Sequence, residues 1–398
     1  MAPFHGLMKE FVQNLQISDS FAGLPYTWNP KSNRLELKCR SKIAVNKLRL
    51  SIGVVYLVTA LMQIIWTWKR AGRMVMTHSA MFVADYVTNI SSQFLNYVDP
   101  EATVDLFNKV IQYEETLGGR DTQKLISKEK KRKFTKFLMQ MMAATGIFMP
   151  PLYHLDILRN PCFPMYVGYW LSDQCGTKMG LASPGSWSLL EFGTKALISL
   201  ISYLNWSFVL TSHCFHTSTG MVLLGHCIRS YISKYGNDIR NIGTVDEDAR
   251  KKVTEYRAFQ VLAAHHRSVY SAYFLSIYSI CMTVVAIVCL YSTIMAAYEK
   301  ESVQLGLNLL YFWCTFVTAF ILVFIIGILA DVYRVSKRVN QKMNGQAHLK
   351  RNKWYRKFSK ASPRIRIYIG GSNFFDELTP LTLESFAITQ TINLLLLK

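Results

Sequence analysis

The chain has 398 residues, 51% of them apolar, 13% aromatic and 18% charged, with a formal net charge of +20. Soluble domains carry about 25% charged residues, so this chain is greasier than a cytosolic enzyme, and its aromatic content excludes disorder. Long uncharged tracts between the basic residues exclude a histone-like polycation. The composition predicts a membrane protein with cationic loops.

Taken in chain order, residues 1–49 form a mixed segment that ends in a basic stretch over 38–49. It reads as an orientation anchor beside the first span. Uncharged tracts at 50–68, 137–155, 196–228, 268–298 and 302–330 each reach the length of roughly 20 residues that crosses a bilayer. Two weaker tracts, 74–98 with Asp85 and 381–398 with Glu384, bring the predicted transmembrane helices to seven.

Between the second and third spans, Val104, Phe107, Val110 and Ile111 recur at helical spacing. The basic run at 128–133 reads as topology control or attraction to anionic lipid, and no aromatic platform accompanies it for nucleic acid. After the third span, Cys162 and Cys175 are the two cysteines expected on the oxidising side, where a disulfide between them is plausible. The tracts at 196–228, 268–298 and 302–330 are longer than a bilayer requires. Their helices are therefore expected to continue into the cytosol. Val253, Tyr256, Phe259 and Leu262 extend the fifth span in this way, and 331–380 follows the sixth as a cytosolic anchor segment.

Placing the N-terminus in the cytosol puts 37 of the 45 Lys and Arg residues on the inner side, as the positive-inside rule requires. Seven spans then leave the C-terminus outside. That orientation argues against a G-protein-coupled receptor. Asp331-Val-Tyr-Arg334 is not an Asp-Arg-Tyr triplet, and no Asn-Pro-x-x-Tyr closes the last span. The span pattern has no repeats of the kind transporters show. His213 and His216, with His226-Cys227 further on, lack a companion carboxylate or histidine cluster and read as polar packing between helices. Neither a metal, a cofactor nor an enzymatic step is expected. The sequons at Asn89 and Asn205 fall inside spans and are set aside. Asp85 is different, because an ionisable side chain within a span is a functional hypothesis by default. Structural pairing and ligand contact both remain open for it. The fold class is thus an all-α, multi-pass membrane protein with a cytosolic helical bundle built from the inner ends of its own spans.

The last span carries Thr382, Ser385, Thr389, Gln390, Thr391 and Asn393 and is too polar for full lipid contact. Its end is similar to the Thr-Tyr, five-hydrophobic, Gln-Phe motif of the insect chemoreceptor superfamily. Thr391 fits the Thr, Ile392 replaces the Tyr, Asn393 and Leu394 to Leu397 fill the next five places, and Lys398 stands where the motif has Gln. The approach over 367–380, with Gly370-Gly371 and Phe374-Phe375, also resembles that family, most closely the arthropod gustatory receptors.

The resemblance implies a tetrameric, ligand-gated cation channel of the plasma membrane, as a homotetramer or with related subunits, lined by the last helix and held by a cytosolic helical anchor formed by extensions of helices four to seven. A small-molecule tastant would bind in the outer half of helices two to six. Candidate pocket residues are Phe82, Asp85, Tyr153, Tyr203, Trp206, Tyr291 and Phe312. On the implied pore helix, helical spacing puts Leu394, Leu397 and Lys398 on one face. Leu394 and Leu397 are expected to gate, with Gln390 and Asn393 as further pore residues. An odorant-receptor subunit that needs a co-receptor is the alternative, and a seven-helix G-protein-coupled receptor a more distant one.

Overall fold

A computed structural model describes residues 3–22, 24–38, 40–67, 73–118, 129–159, 189–239, 246–271, 273–298, 305–345, 353–371 and 373–396. The predicted pair Cys162 and Cys175, and the terminal Leu397 and Lys398, lie outside these residues.

The N-terminal segment is more than an orientation anchor. Helix α1 (Met8–Ala22) leads into a hairpin of β1 (Tyr26–Asn29) and β2 (Arg34–Leu37), with Tyr26 opposite Leu37 and Asn29 opposite Arg34. Its turn places Asn33 at a positive φ, a conformation that asparagine tolerates better than most residues. Phe4, Phe11, Leu15, Tyr26 and Leu35 are all buried. The carboxylate of Glu114 ties the segment down. It accepts hydrogen bonds from the backbone of Phe4 (2.7 Å) and His5 (2.9 Å), and from the Tyr231 hydroxyl (2.7 Å). A buried carboxylate needs several donors of this kind to offset its lost hydration.

The helical body follows in order. It comprises α2 (Arg40–Thr67), α3 (Arg73–Val98), α4 (Pro100–Gly118), α5 (Glu129–Arg159), α6 (Leu189–His216) and α7 (Leu224–Asp238). After them come α8 (Asp246–His266), α9 (Phe274–Tyr298), α10 (Leu305–Phe320), α11 (Ile326–Gly345), α12 (Lys353–Ala361) and α13 (Thr379–Leu396). The spacing over 104–111 does form a helix, with Phe107, Val110 and Ile111 fully buried on one face of α4.

Among the described residues, three stretches are long and apolar enough to cross a membrane by themselves: Lys47–Thr67, Phe274–Met295 and Tyr311–Gly345. The second and seventh predicted spans are present as α3 and α13, and polar residues such as Asn89, Gln93, Glu384 and Asn393 lower their mean hydropathy.

The predicted long tracts are helical but not continuous α-helix. π-Helical turns interrupt them at Thr217–Leu223, Arg267–Ser271 and Ile321–Ile325, joining α6 to α7, α8 to α9 and α10 to α11. Such turns cluster at functional sites because the extra residue breaks the i→i−4 ladder. Two of them lock together. A Cβ at Gly220 would overlap the Tyr270 ring, and His266 Nε2 donates to the Gly220 carbonyl at 2.9 Å. Glycine is required there for close approach.

Between α12 and α13, β3 (Tyr368–Ile369) and β4 (Asn373–Phe374) form a small hairpin that turns at Gly370, φ +67°. Arg267 lies 3.9 Å over the Tyr368 ring and donates to the Gly371 carbonyl at 2.7 Å. This pins the hairpin to the second π turn.

Candidate functional site

α3, α5, α6, α9 and α10 surround a cavity of about 90 Å³. Met81 and Asp85 line it from α3, Met142, Thr145 and Met149 from α5, and Leu210, His213 and Cys214 from α6. α9 contributes Met282 and Val285, and α10 contributes Trp313, Cys314, Val317 and Thr318, with Ile321 of the following π turn. Four methionines give walls that are apolar, polarisable and able to change rotamer. The polar groups are few, which is the usual make-up of a small-molecule site.

Contacts between helices fix the geometry. Cys289 meets Met81 at 3.2 Å and Cys281 meets Thr88, so α9 runs antiparallel to α3. Asn205 meets Tyr86 and Ser212 meets Asn96, so α6 runs parallel to α3. The residues that follow in the α3 sequence therefore lie beside the residues that precede in α9.

Beyond the cavity in that direction lies a buried hydrogen-bond network. Asn96 is its hub. Its amide donates to Ser212 at 2.8 Å, and its carbonyl oxygen accepts from His216 Nε2 at 2.8 Å and from the Tyr26 hydroxyl. The Tyr270 hydroxyl faces His216 Nδ1 at 3.4 Å. The network joins the N-terminal hairpin, α3, α6 and the second π turn. His266 completes this layer, and burial lowers its pKa from 6.5 to about 4, with its bond to Gly220 opposing the shift. It is held neutral.

Of the aromatic pocket candidates, none lines this cavity. Phe82 and Trp206 are fully buried in a separate cluster with Tyr86, their rings 4.7 Å apart. Tyr203 and Tyr291 are half-buried, and Phe312 is 61% exposed beside the cavity-lining Trp313. Tyr153 falls in α5, with its side chain outside the described residues. Asp85 is the one pocket candidate at the cavity wall. The methionines and His213 were missed as cavity residues. His213 carries a sequence signal, as a polar residue inside an uncharged tract, but a methionine in a greasy helix carries none.

α13 meets the rest of the chain along a narrow strip. Ala387 and Thr391 are its buried residues, and the Thr391 hydroxyl reaches the Ile287 carbonyl of α9 at 3.4 Å. Gln390 is half-buried, while Asn393 and Leu394 are exposed, together with Leu381, Phe386, Ile388 and Ile392. At its start, the Asp376 carboxylate accepts from the Thr379 backbone (2.8 Å) and hydroxyl (2.7 Å) and from the Leu378 backbone (3.1 Å).

No protein-family model matches the chain, and no curated protein does either. Solved structures do. The insect olfactory receptor OR5 from Machilis hrabei in complex with eugenol matches with a TM-score of 0.68 and 12% identity, over 99% of this chain and 100% of that one. A second structure of the same receptor matches with a TM-score of 0.65 and 11% identity, over 99% of each chain. At such low identity the likeness is one of fold, and it spans nearly every residue: this protein has the fold of that insect olfactory receptor.

Proposed function

We propose that the chain is one subunit of a ligand-gated cation channel. A small molecule entering the cavity between α3, α5, α6, α9 and α10 opens a pore lined by α13 from four copies. The observation that carries this reading is α13. Its strip at Ala387 and Thr391 rests on the chain, and the rest of its surface mixes Leu381, Phe386 and Ile388 with Ser385, Thr389 and Asn393. Lipid suits only the first set and water only the second. A helix shared between neighbouring copies and a central aqueous path suits both. In this arrangement Leu394, with Leu397, forms the narrow apolar gate, and Gln390, Asn393 and Lys398 border the conducting path.

The N-terminus lies in the cytosol and the C-terminus outside the plasma membrane, as the distribution of basic residues requires. The cavity's methionine lining favours a weakly polar compound over a sugar, since a sugar needs many hydrogen-bonding partners. This supports an odorant-type cue as a second reading beside the gustatory one. Whole-cell recording tests the proposal in cells expressing the chain alone or with a co-receptor subunit. Cation current evoked by volatile or bitter compounds is expected. Surface-expressed protein that conducts in neither setting would overturn it.

A further inference from the structure

Three buried polar side chains, one lining the cavity and two a helical turn from residues that line it, lack a well-formed hydrogen bond where one is normally found. On α3, Asn89 is fully buried, and both its amide nitrogen and its carbonyl oxygen lack partners among the described residues. On α6, His213 lines the cavity at 7% exposure, and its Nδ1 is likewise unpaired. On α9, the Tyr278 hydroxyl makes no well-formed hydrogen bond, though Thr217 faces it, and its ring stacks on His213 with centroids 5.5 Å apart and 19° between the planes. More than nine in ten buried polar groups in folded proteins are satisfied, so three such groups around one cavity call for an explanation.

Helix direction places them together. Asn89 lies one turn after the cavity-lining Asp85, and Tyr278 lies one turn before the cavity-lining Met282. Because α9 is antiparallel to α3, both positions fall at the same end, where His213 also stands. Above this end the walls are Met81, Met149, Met282 and Trp313. The cavity thus has an apolar body and a polar floor.

We infer that the cavity recognises a small amphiphile with a single hydroxyl, whose head sits on the floor of Asn89, His213 and Tyr278 and whose hydrocarbon body meets the methionines. The inference rests on the cavity being the ligand site proposed above. A hydroxyl both donates and accepts. It therefore serves an amide, a phenol and an imidazole in either tautomer, whereas a ketone or ether only accepts. A protonated amine only donates, and its natural partner in this cavity is the Asp85 carboxylate rather than the floor.

The test uses the purified full chain in lipid nanodiscs and three probes of matched size: cyclopentanol, methylcyclopentane and cyclopentylamine at pH 7. Kd values come from titrating the thermal unfolding transition, so the readout needs no current. Cyclopentanol is expected to bind about tenfold more tightly than methylcyclopentane. Tyr278→Phe and Asn89→Leu should each shrink that preference to about threefold or less while leaving methylcyclopentane binding unchanged. Tyr278→Phe removes a hydroxyl that makes no well-formed hydrogen bond, so it should fold about as stably as the parent. Equal binding of alcohol and hydrocarbon would overturn the inference, leaving only water at the floor. Tightest binding by the amine would overturn it in favour of Asp85, and so would an alcohol preference that survives both variants. A protein that binds with the expected preference but never conducts would refute the channel reading and leave this one standing.

Discussion

Two residues show how tightly the layer beneath the cavity is specified. Gly220 touches the Tyr270 ring so closely that Gly220→Ala forces one π turn away from the other. Overpacking of this kind costs about 1–3 kcal/mol. The expected result is a lower Tm in detergent, partly recovered when Tyr270→Leu makes room; an unchanged Tm would disprove the contact. His266 gives the layer a pH dependence. Its native pKa of about 4 lies below the unfolded value of 6.5, so the native state resists taking up the proton that the unfolded chain binds. The stabilisation is complete above pH 6.5 and is lost as pH falls toward 4, by about 3 kcal/mol. Comparing Tm against pH for the parent and His266→Gln isolates it, because Gln keeps a donor for the Gly220 carbonyl but does not titrate. Parallel curves would count against the assignment. Neither residue stands out in the sequence. Gly220 looks like any glycine in an apolar tract, and His266 becomes unusual only once burial surrounds it.

Elements differ in how much they reveal before folding. α4 is legible because Phe107, Val110 and Ile111 repeat with the helical period. The uncharged tracts are legible because a bilayer requires length and apolarity. The π turns leave no mark, since a shift in hydrogen-bond register changes neither composition nor periodicity. The N-terminal hairpin is hidden for another reason: Tyr26 and Leu35 are buried by contacts far away in the chain. α13 was legible as too polar for lipid, whereas its attachment at Ala387 and Thr391 was not. Its N-terminal bonds to Asp376 are expected to contribute about 1 kcal/mol. Asp376→Ala should therefore speed amide hydrogen exchange in the first turn of α13 while α9 stays protected. Under the channel reading, Leu394→Ala should raise resting leak current, and unchanged leak would remove Leu394 from the gate.

At the scale of the whole molecule, Glu114 joins parts of the chain that composition treats as unrelated. It binds the backbone at Phe4 and His5 and the hydroxyl of Tyr231. Glu114→Ala would strand the Phe4 backbone donor and the Tyr231 phenol in a buried site, at a cost of about 1–3 kcal/mol for each group left unsatisfied. Faster proteolysis near residues 23–39 is the expected readout, and parent-like resistance would argue that the aromatic contacts of Phe4 and Phe11 suffice alone.

The same tie sets an order of events during synthesis. Phe4 is made well before Glu114, so it cannot seat until Glu114 follows, nor can the site be complete before Tyr231. At translation rates of about 5–20 residues per second, the N-terminal helix and hairpin wait roughly 10–50 s with Phe4, Phe11 and Tyr26 unprotected. α2, α3 and α4 are all made within that interval. The helix and hairpin thus find their place only after α4 and α7 have been made, and until then their aromatic side chains need protection from wrong contacts.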